Sequence, residues 1–247
     1  MEIKKILDHL KNKYNISEFI NSDPIQFVHR YKHRKDIEVT AFLVATITWG
    51  KRPMILKSAE KMLKMMGNKP YDYIMNECYK DIVTSNNIHR TFFEDDFVYF
   101  AKGLNRLFNQ YDSIEQVFSV PDSLWDGITA FRKEFVIANN GVDTKHISNP
   151  EKNSACKRLH MALRWLVRND GIVDLGLWKN INPSSLYIPL DTHVASISRE
   201  LGLLKRKSND KKAVDELTCA LLDVDPKDPI GYDFALFGWG EDRASNG

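Results

Sequence analysis

Apolar residues return every three or four positions along almost the whole chain, and that period belongs to the α-helix. Ile3, Ile6, Leu7 and Leu10 mark the inner face of a first helix over 4–14. Over 38–49 nearly every position is apolar, with Val39, Ala41, Phe42, Leu43, Val44, Ala45 and Ile47 in close succession. A helix greasy on all sides is a central one. Gly50 stops it, Pro53 opens the next, and Gly67 suits that helix's C-terminal cap. Asp23 and Pro24 start a helix over 23–33 as cap and first residue. Further helices are expected over 70–78, 91–108, 113–118, 122–138, 154–168, 192–203, 210–222 and 229–238. Between them lie a polar stretch, 139–153, and an irregular one, 169–190, broken by Gly171, Gly176, Pro183 and Pro189. Neither an alternating strand pattern nor an internal repeat stands out. The expectation is an all-α fold in one unit, 1–247, with subdomains.

With 247 residues, 43% of them hydrophobic, the chain has ample material for a core. Cys78, Cys156 and Cys219 are odd in number and widely spaced, which excludes a disulfide framework and a cysteine-based zinc or iron–sulfur centre. No apolar run reaches the length of a membrane span, so a soluble protein of a reducing, cytoplasmic compartment is expected. Net charge is only +2, but 145–212 holds 13 Lys and Arg against 6 Asp and Glu. Such a concentration describes an anion-facing segment or a set of solvated helix faces.

Two segments of that basic stretch carry chemistry. Over 154–168, Ala155, Cys156, Leu159, Ala162, Leu163, Leu166 and Val167 form the apolar stripe, leaving Lys157, Arg164 and Arg168 on the other face. Lys157 falls in the first turn, where the helix dipole disfavours a cation by about 0.3–1 kcal/mol. The same positive end favours the unprotonated amine that a nucleophile requires. A surface lysine beside two surface arginines fits these residues as well. In the segment 187–194, Pro189 enforces an extended approach, and Asp191 or Thr192 caps a helix whose apolar face is Val194, Ile197, Leu201 and Leu204. A carboxylate so placed accepts backbone N–H bonds that fix its direction, and a purely structural cap is worth about 1 kcal/mol. His29 and His33, four apart, lack the carboxylates to complete a metal site, so no metal or cofactor is expected.

Leu190-Asp191-Thr192-His193-Val194, preceded by Pro189 and followed by a helix, resembles the VDTHV signature of the helix-hairpin-helix DNA glycosylases. In that superfamily this aspartate is the catalytic carboxylate, and bifunctional members carry a lysine at the start of the preceding helix. Lys157 stands in the matching place, 34 residues before Asp191. That separation is longer than in endonuclease III-like enzymes and similar to the archaeal 8-oxoguanine glycosylase branch. The buried helix ending at Trp49 looks like the superfamily's LLSxQ helix, and 233–240 looks like its final helix beside the base pocket. As a whole the chain resembles an uncharacterised bacterial family related to that superfamily. It departs from the pattern in three places. The glycine-rich LPGVG hairpin is replaced by 147–154, with Asn153 or Ser154 as cap; Trp49-Gly50 replaces the polar residue closing the buried helix; and the cysteine cluster is missing.

The resemblance implies a helix-hairpin-helix glycosylase-like bundle and a base-excision-repair enzyme. Its activity would be DNA glycosylase with AP lyase, on an oxidised purine of the 8-oxoguanine type extruded from damaged DNA. Lys157 would form the Schiff base and Asp191 would stabilise charge at C1′. Arg158, Arg164, Arg168, Lys205, Arg206 and Lys207 would contact DNA, with Asn153 and Ser154 at the turn. Trp49, Phe237 and Trp239 would line the base pocket, although core packing accounts for them equally. A non-catalytic nucleic-acid-binding or assembly protein on the same scaffold is the alternative. The two part on whether the Lys157 amine and the Asp191 carboxylate share one cleft.

Overall fold

A computed structural model describes residues 2–246 and shows a mostly helical chain with one small two-stranded sheet. The chain gathers into two compact units, Met1–Asn21 with Asn149–Gly247, and Ser22–Ser148.

The unit Ser22–Ser148 holds α-helices that, numbered along the whole chain after α1 (Glu2–Tyr14) and α2 (Ser17–Ser22), run α3 (Arg34–Thr46), α4 (Arg52–Met65), α5 (Pro70–Met75), α6 (Glu94–Gln110), α7 (Glu115–Ser119) and α8 (Leu124–Ala138). The apolar run does form the central helix: every residue of α3 from Ile37 to Thr46 is buried. Phe42 stacks on Phe131 at 4.8 Å and on Phe118 at 5.9 Å. Gly103 lets α6 approach α8, since a Cβ there would stand 2.3 Å from the Phe135 ring. Glu38 is buried on α3 but well supplied with donors: Arg34, the Ser113 hydroxyl and the Ile114 N–H all reach its oxygens.

Three expectations are corrected here. Asp23 caps by accepting the Ile25 N–H, but the segment it caps is a 3-10 turn, Pro24–Arg30, with Tyr31 extended. His29 and His33 therefore do not share a helix face. Thr46, not Trp49, ends the buried helix. The helix expected from Thr91 starts at Glu94, because β1 (Asn87–His89) and β2 (Phe92–Phe93) pair antiparallel across a turn with Arg90 at φ 49°. Strands of two and three residues are too short to show a period of two.

The unit Met1–Asn21 with Asn149–Gly247 is built on α1, α2, α9 (Lys157–Val167), α10 (Thr192–Glu200), α11 (Lys211–Val224) and α12 (Asp233–Asn246). Helix α12 packs on α1 and α10 through glycines. A Cβ at Gly238 would meet the Tyr14 ring at 2.3 Å, and one at Gly240 would meet His193 at 2.7 Å. Helix α9 is the surprise. Every residue from Leu159 to Val167 is buried, Arg164 included, so its polar face is not solvated. The 169–190 segment covers it: the Leu175 and Trp178 N–H groups bond the Trp165 and Leu166 carbonyls at 2.9 and 2.8 Å, satisfying acceptors at the helix end. Among the described residues, no helix is long and apolar enough to cross a membrane.

Candidate active site

Helices α9 and α10 each present one reactive side chain at their first turn. Asp191 is the N-cap of α10, its Oδ1 accepting the Val194 N–H at 2.9 Å, which leaves Oδ2 to point away from the helix. Oδ2 lies 3.9 Å from Lys157 Nζ at the first residue of α9. The two side chains, remote in sequence, converge, and both reach solvent, with 28% of the Lys157 and 19% of the Asp191 side chain exposed. Lys157 Nζ also rests 3.8 Å from the Met161 sulfur. An amine and a carboxylate so paired, partly exposed, are suited to attack on an electrophilic carbon with a proton acceptor at hand.

The turn before Lys157 differs from the expected capping by Asn153 or Ser154. Cys156 is the cap residue, in the left-handed region at φ 47°, and Asn153 adopts φ 60°. Asparagine tolerates that region; a buried cysteine held there costs about 1–3 kcal/mol. The turn is fastened elsewhere too: Asn153 donates through Nδ2 to Asp210 at 3.0 Å, and its carbonyl accepts the Lys211 N–H at 3.1 Å. Arg206 grips Asp210 with two bonds of 2.6 and 2.5 Å, holding that carboxyl well below its usual range. Arg199 binds the carbonyls of Arg206 and Lys207, both at 2.9 Å. The loop thus has a fixed shape, with Lys205 and Lys207 exposed on it. Arg206 and Asn153 serve the loop's own structure, and Ser154 is half-buried beside them.

Arg164 and Arg168, expected on a solvated face, are buried instead. Arg164 pairs with Asp174 at 3.2 Å and with Asp233. Arg168 pairs with Asp170, Asp174 and Asp228 at 2.5, 2.8 and 2.7 Å, and Asp228 also meets Lys11 at 3.1 Å. Burial works against the charge of Arg168, but Asp228 and Asp174 raise its pKa overall. Spacing on one helix cannot reveal carboxylates that arrive from 170, 174, 228 and 233. Arg158 is half-buried, and desolvation lowers its pKa.

Asp233, the first residue of α12, was not singled out by the sequence. It is buried, bonded through Oδ2 to Arg164, and its Oδ1 has no hydrogen-bond partner among the described residues. Burial pushes it up to about 6, with Arg164 opposing and Asp191 adding to the shift.

The three aromatic residues expected at a base pocket have separate surroundings. Phe237 meets His193 edge-on at 6.2 Å and Phe19 at 6.5 Å. Trp239, two positions on and therefore about 200° around α12, lies under Arg243 at 4.5 Å beside a surface groove of about 500 Å³ that also touches Tyr14 and Asp242. Trp49 belongs to the other unit, stacked on His146 at 5.6 Å and edge-on to His89 at 4.9 Å. His89 Nε2 donates to the Trp49 carbonyl, leaving Nδ1 to accept from Ser58. No group of three or more metal-ligating side chains occurs among the described residues.

A family model described as "Protein of unknown function (DUF2400)" matches residues 23–242, and the chain belongs to that family. No curated protein and no solved structure matches it.

Proposed function

We propose that this member of the DUF2400 family is a DNA glycosylase with AP-lyase activity, of helix-hairpin-helix type, acting on an oxidised purine such as 8-oxoguanine. One observation carries the reading: Lys157 Nζ and Asp191 Oδ2 stand 3.9 Å apart, partly exposed, at the starts of two helices, on residues that match the superfamily's motif. The damaged nucleotide leaves the stack, since C1′ is out of reach inside a duplex. The neutral Lys157 amine attacks C1′, and the electrons of the glycosidic bond leave with the base, which takes up a proton. Asp191 stabilises the positive charge developing at C1′ and accepts the proton that the lysine nitrogen sheds. Opening of the sugar ring gives the Schiff base, and loss of a proton from C2′ expels the 3′ phosphate. This chemistry uses only groups of the chain and the DNA.

Phosphate contact falls to the exposed Lys205 and Lys207 on their braced loop rather than to Arg164 or Arg168, whose charges are already matched. Asn153 and Cys156 take left-handed backbone positions, the region glycine favours, without being glycine. A DNA-repair role in the cytoplasm follows from the same reading.

The test is borohydride trapping with duplexes containing 8-oxoguanine or an abasic site. The wild-type protein should form a covalent complex and cut the strand. Lys157→Gln should abolish both while unfolding at the same temperature, and Asp191→Asn should slow both at least about 100-fold. Trapping that persists in Lys157→Gln would remove Lys157 from the mechanism. Binding without cross-linking or cleavage by the wild type would favour a non-catalytic DNA-binding role.

A further inference from the structure

We infer that a groove along the polar face of α6, in the unit Ser22–Ser148, binds a small sugar phosphate, with Lys102 and Lys80 taking the phosphate and Asn140 and Asn109 the sugar hydroxyls. The inference is independent of the reading given to Lys157 and Asp191, which belong to the other unit.

Helix α6 buries Phe97, Phe100, Leu104 and Leu107 on one side. Lys102, Asn105, Arg106, Asn109 and Gln110 follow the i, i+3, i+4, i+7, i+8 pattern and share another face. A helix face that simply meets water tends to alternate the sign of its charges. This one holds two cations, three carboxamides and no carboxylate. All five residues line a groove of about 550 Å³, bordered by Glu77 and Lys80 at the 3-10 turn Cys78–Asp81 and by Ile137 and Asn140 at the end of α8. A hollow of that volume suits a small molecule.

Part of the lining is already committed. Asn105 donates to the Ile74 carbonyl at 3.0 Å and accepts at Oδ1 from Asn109 Nδ2 at 3.0 Å, and Arg106 pairs with Glu134 at 2.6 Å. Other groups are not. Among the described residues, the Lys102 ammonium and the Asn140 carboxamide have no hydrogen-bond or ion-pair partner, and Asn109 keeps its Oδ1 open. All three residues are exposed. Lys80 gives one N–H to Glu77 at 2.5 Å and has two left. Glu77 answers Lys80 and Glu134 answers Arg106, so the charge of Lys102 is left over. Two residues bordering the groove, Glu77 and Asn140, stand in the left-handed region at φ 55°. For a glutamate that is a strained conformation of the kind that gathers at binding sites. A surplus cation fits a phosphate, and carboxamides that donate and accept together fit hydroxyls. Ile137, 43% exposed, offers apolar surface to the C–H face of a sugar ring. A nucleic-acid strand calls for cations along a track, whereas here one uncommitted charge answers a single phosphate.

The experiment titrates ribose 5-phosphate, ribose and inorganic phosphate into the full chain and reads binding by calorimetry. Ribose 5-phosphate should bind once per chain, and ribose and phosphate each at least about 10-fold more weakly. Lys102→Gln, at an exposed position, should unfold at the wild-type temperature and lose about 10-fold in affinity, the effect of one charge-assisted hydrogen bond. Asn140→Gly keeps the left-handed backbone, removes the carboxamide and should lose about 3- to 10-fold. Lys57→Gln, an exposed lysine of α4 outside the groove, should change nothing. A wild type that does not bind ribose 5-phosphate below about 10 mM overturns the inference. Full affinity in Lys102→Gln or in Asn140→Gly overturns it too. So do equal affinities for ribose 5-phosphate and phosphate, or a loss in Lys57→Gln as large as that in Lys102→Gln, which would show a general attraction for anions.

Discussion

Both units bury charge, and they do so differently. In Ser22–Ser148, Arg34 faces two buried carboxylates, Glu38 and Glu115. There too anions outnumber the cation, yet Glu38 also takes the Ser113 hydroxyl on one oxygen and the Ile114 N–H on the other. Neutral donors hold the surplus charge, and the cluster is closed. In the other unit Arg164 and Arg168 face the buried Asp170, Asp174 and Asp233, and the Oδ1 of Asp233 has no hydrogen-bond donor among the described residues. An excess of carboxylates therefore does not by itself call for a proton. An oxygen left without a donor does.

The sharpest way to break this comparison is to remove the guanidinium from each cluster. Arg164→Met strands Asp233 in the interior and takes one of two arginines from Asp174, and should cost about 3–5 kcal/mol in urea unfolding. Arg34→Met, whose side chain is 43% exposed and whose partner Glu38, though not Glu115, keeps its neutral donors, should cost less, about 1–2 kcal/mol. Equal losses would mean that the two clusters are not different in kind.

A smaller effect separates Asp233 by pH. Its folded value, about 6, exceeds the ordinary 3.8, so the native state binds the proton more tightly than the unfolded chain. Stability contributed by this group is full below about pH 4 and is lost as pH rises through 6. Asp233→Asn should match the wild type in acid and exceed it by about 2–3 kcal/mol above pH 7. A constant difference across that range would show that Asp233 does not titrate there. The smallest expected change concerns DNA. Lys205→Gln with Lys207→Gln should weaken binding evenly across sequences and lower the salt slope by about 1 to 2.

The central helix was legible because its apolar residues run unbroken, and Pro53, Pro70 and Gly67 mark real boundaries. The 3-10 turn at Pro24–Arg30 was not, since a cap and a proline announce either kind of helix. Arg164 and Arg168 misled for a physical reason. Period alone separates polar from apolar positions; it does not say whether a polar position faces water or an opposite charge brought from elsewhere in the chain. Lys157 and Asp191 stood out singly as a lysine at an unfavourable helix end and a capping aspartate, and only the resemblance joined them. Nothing in the sequence marked Asp233, whose character comes entirely from the residues that fold over it.

The bonds from Asn153 to Asp210 and Lys211 tie segments 57 and 58 positions apart. That clasp fastens the lysine-rich loop to the turn that launches α9. On the proposed function, a polyanion held by the loop would bear on the root of the amine as well, so that grip and aim would be linked. Cutting the clasp at Asn153 would leave each part whole and set them free of one another.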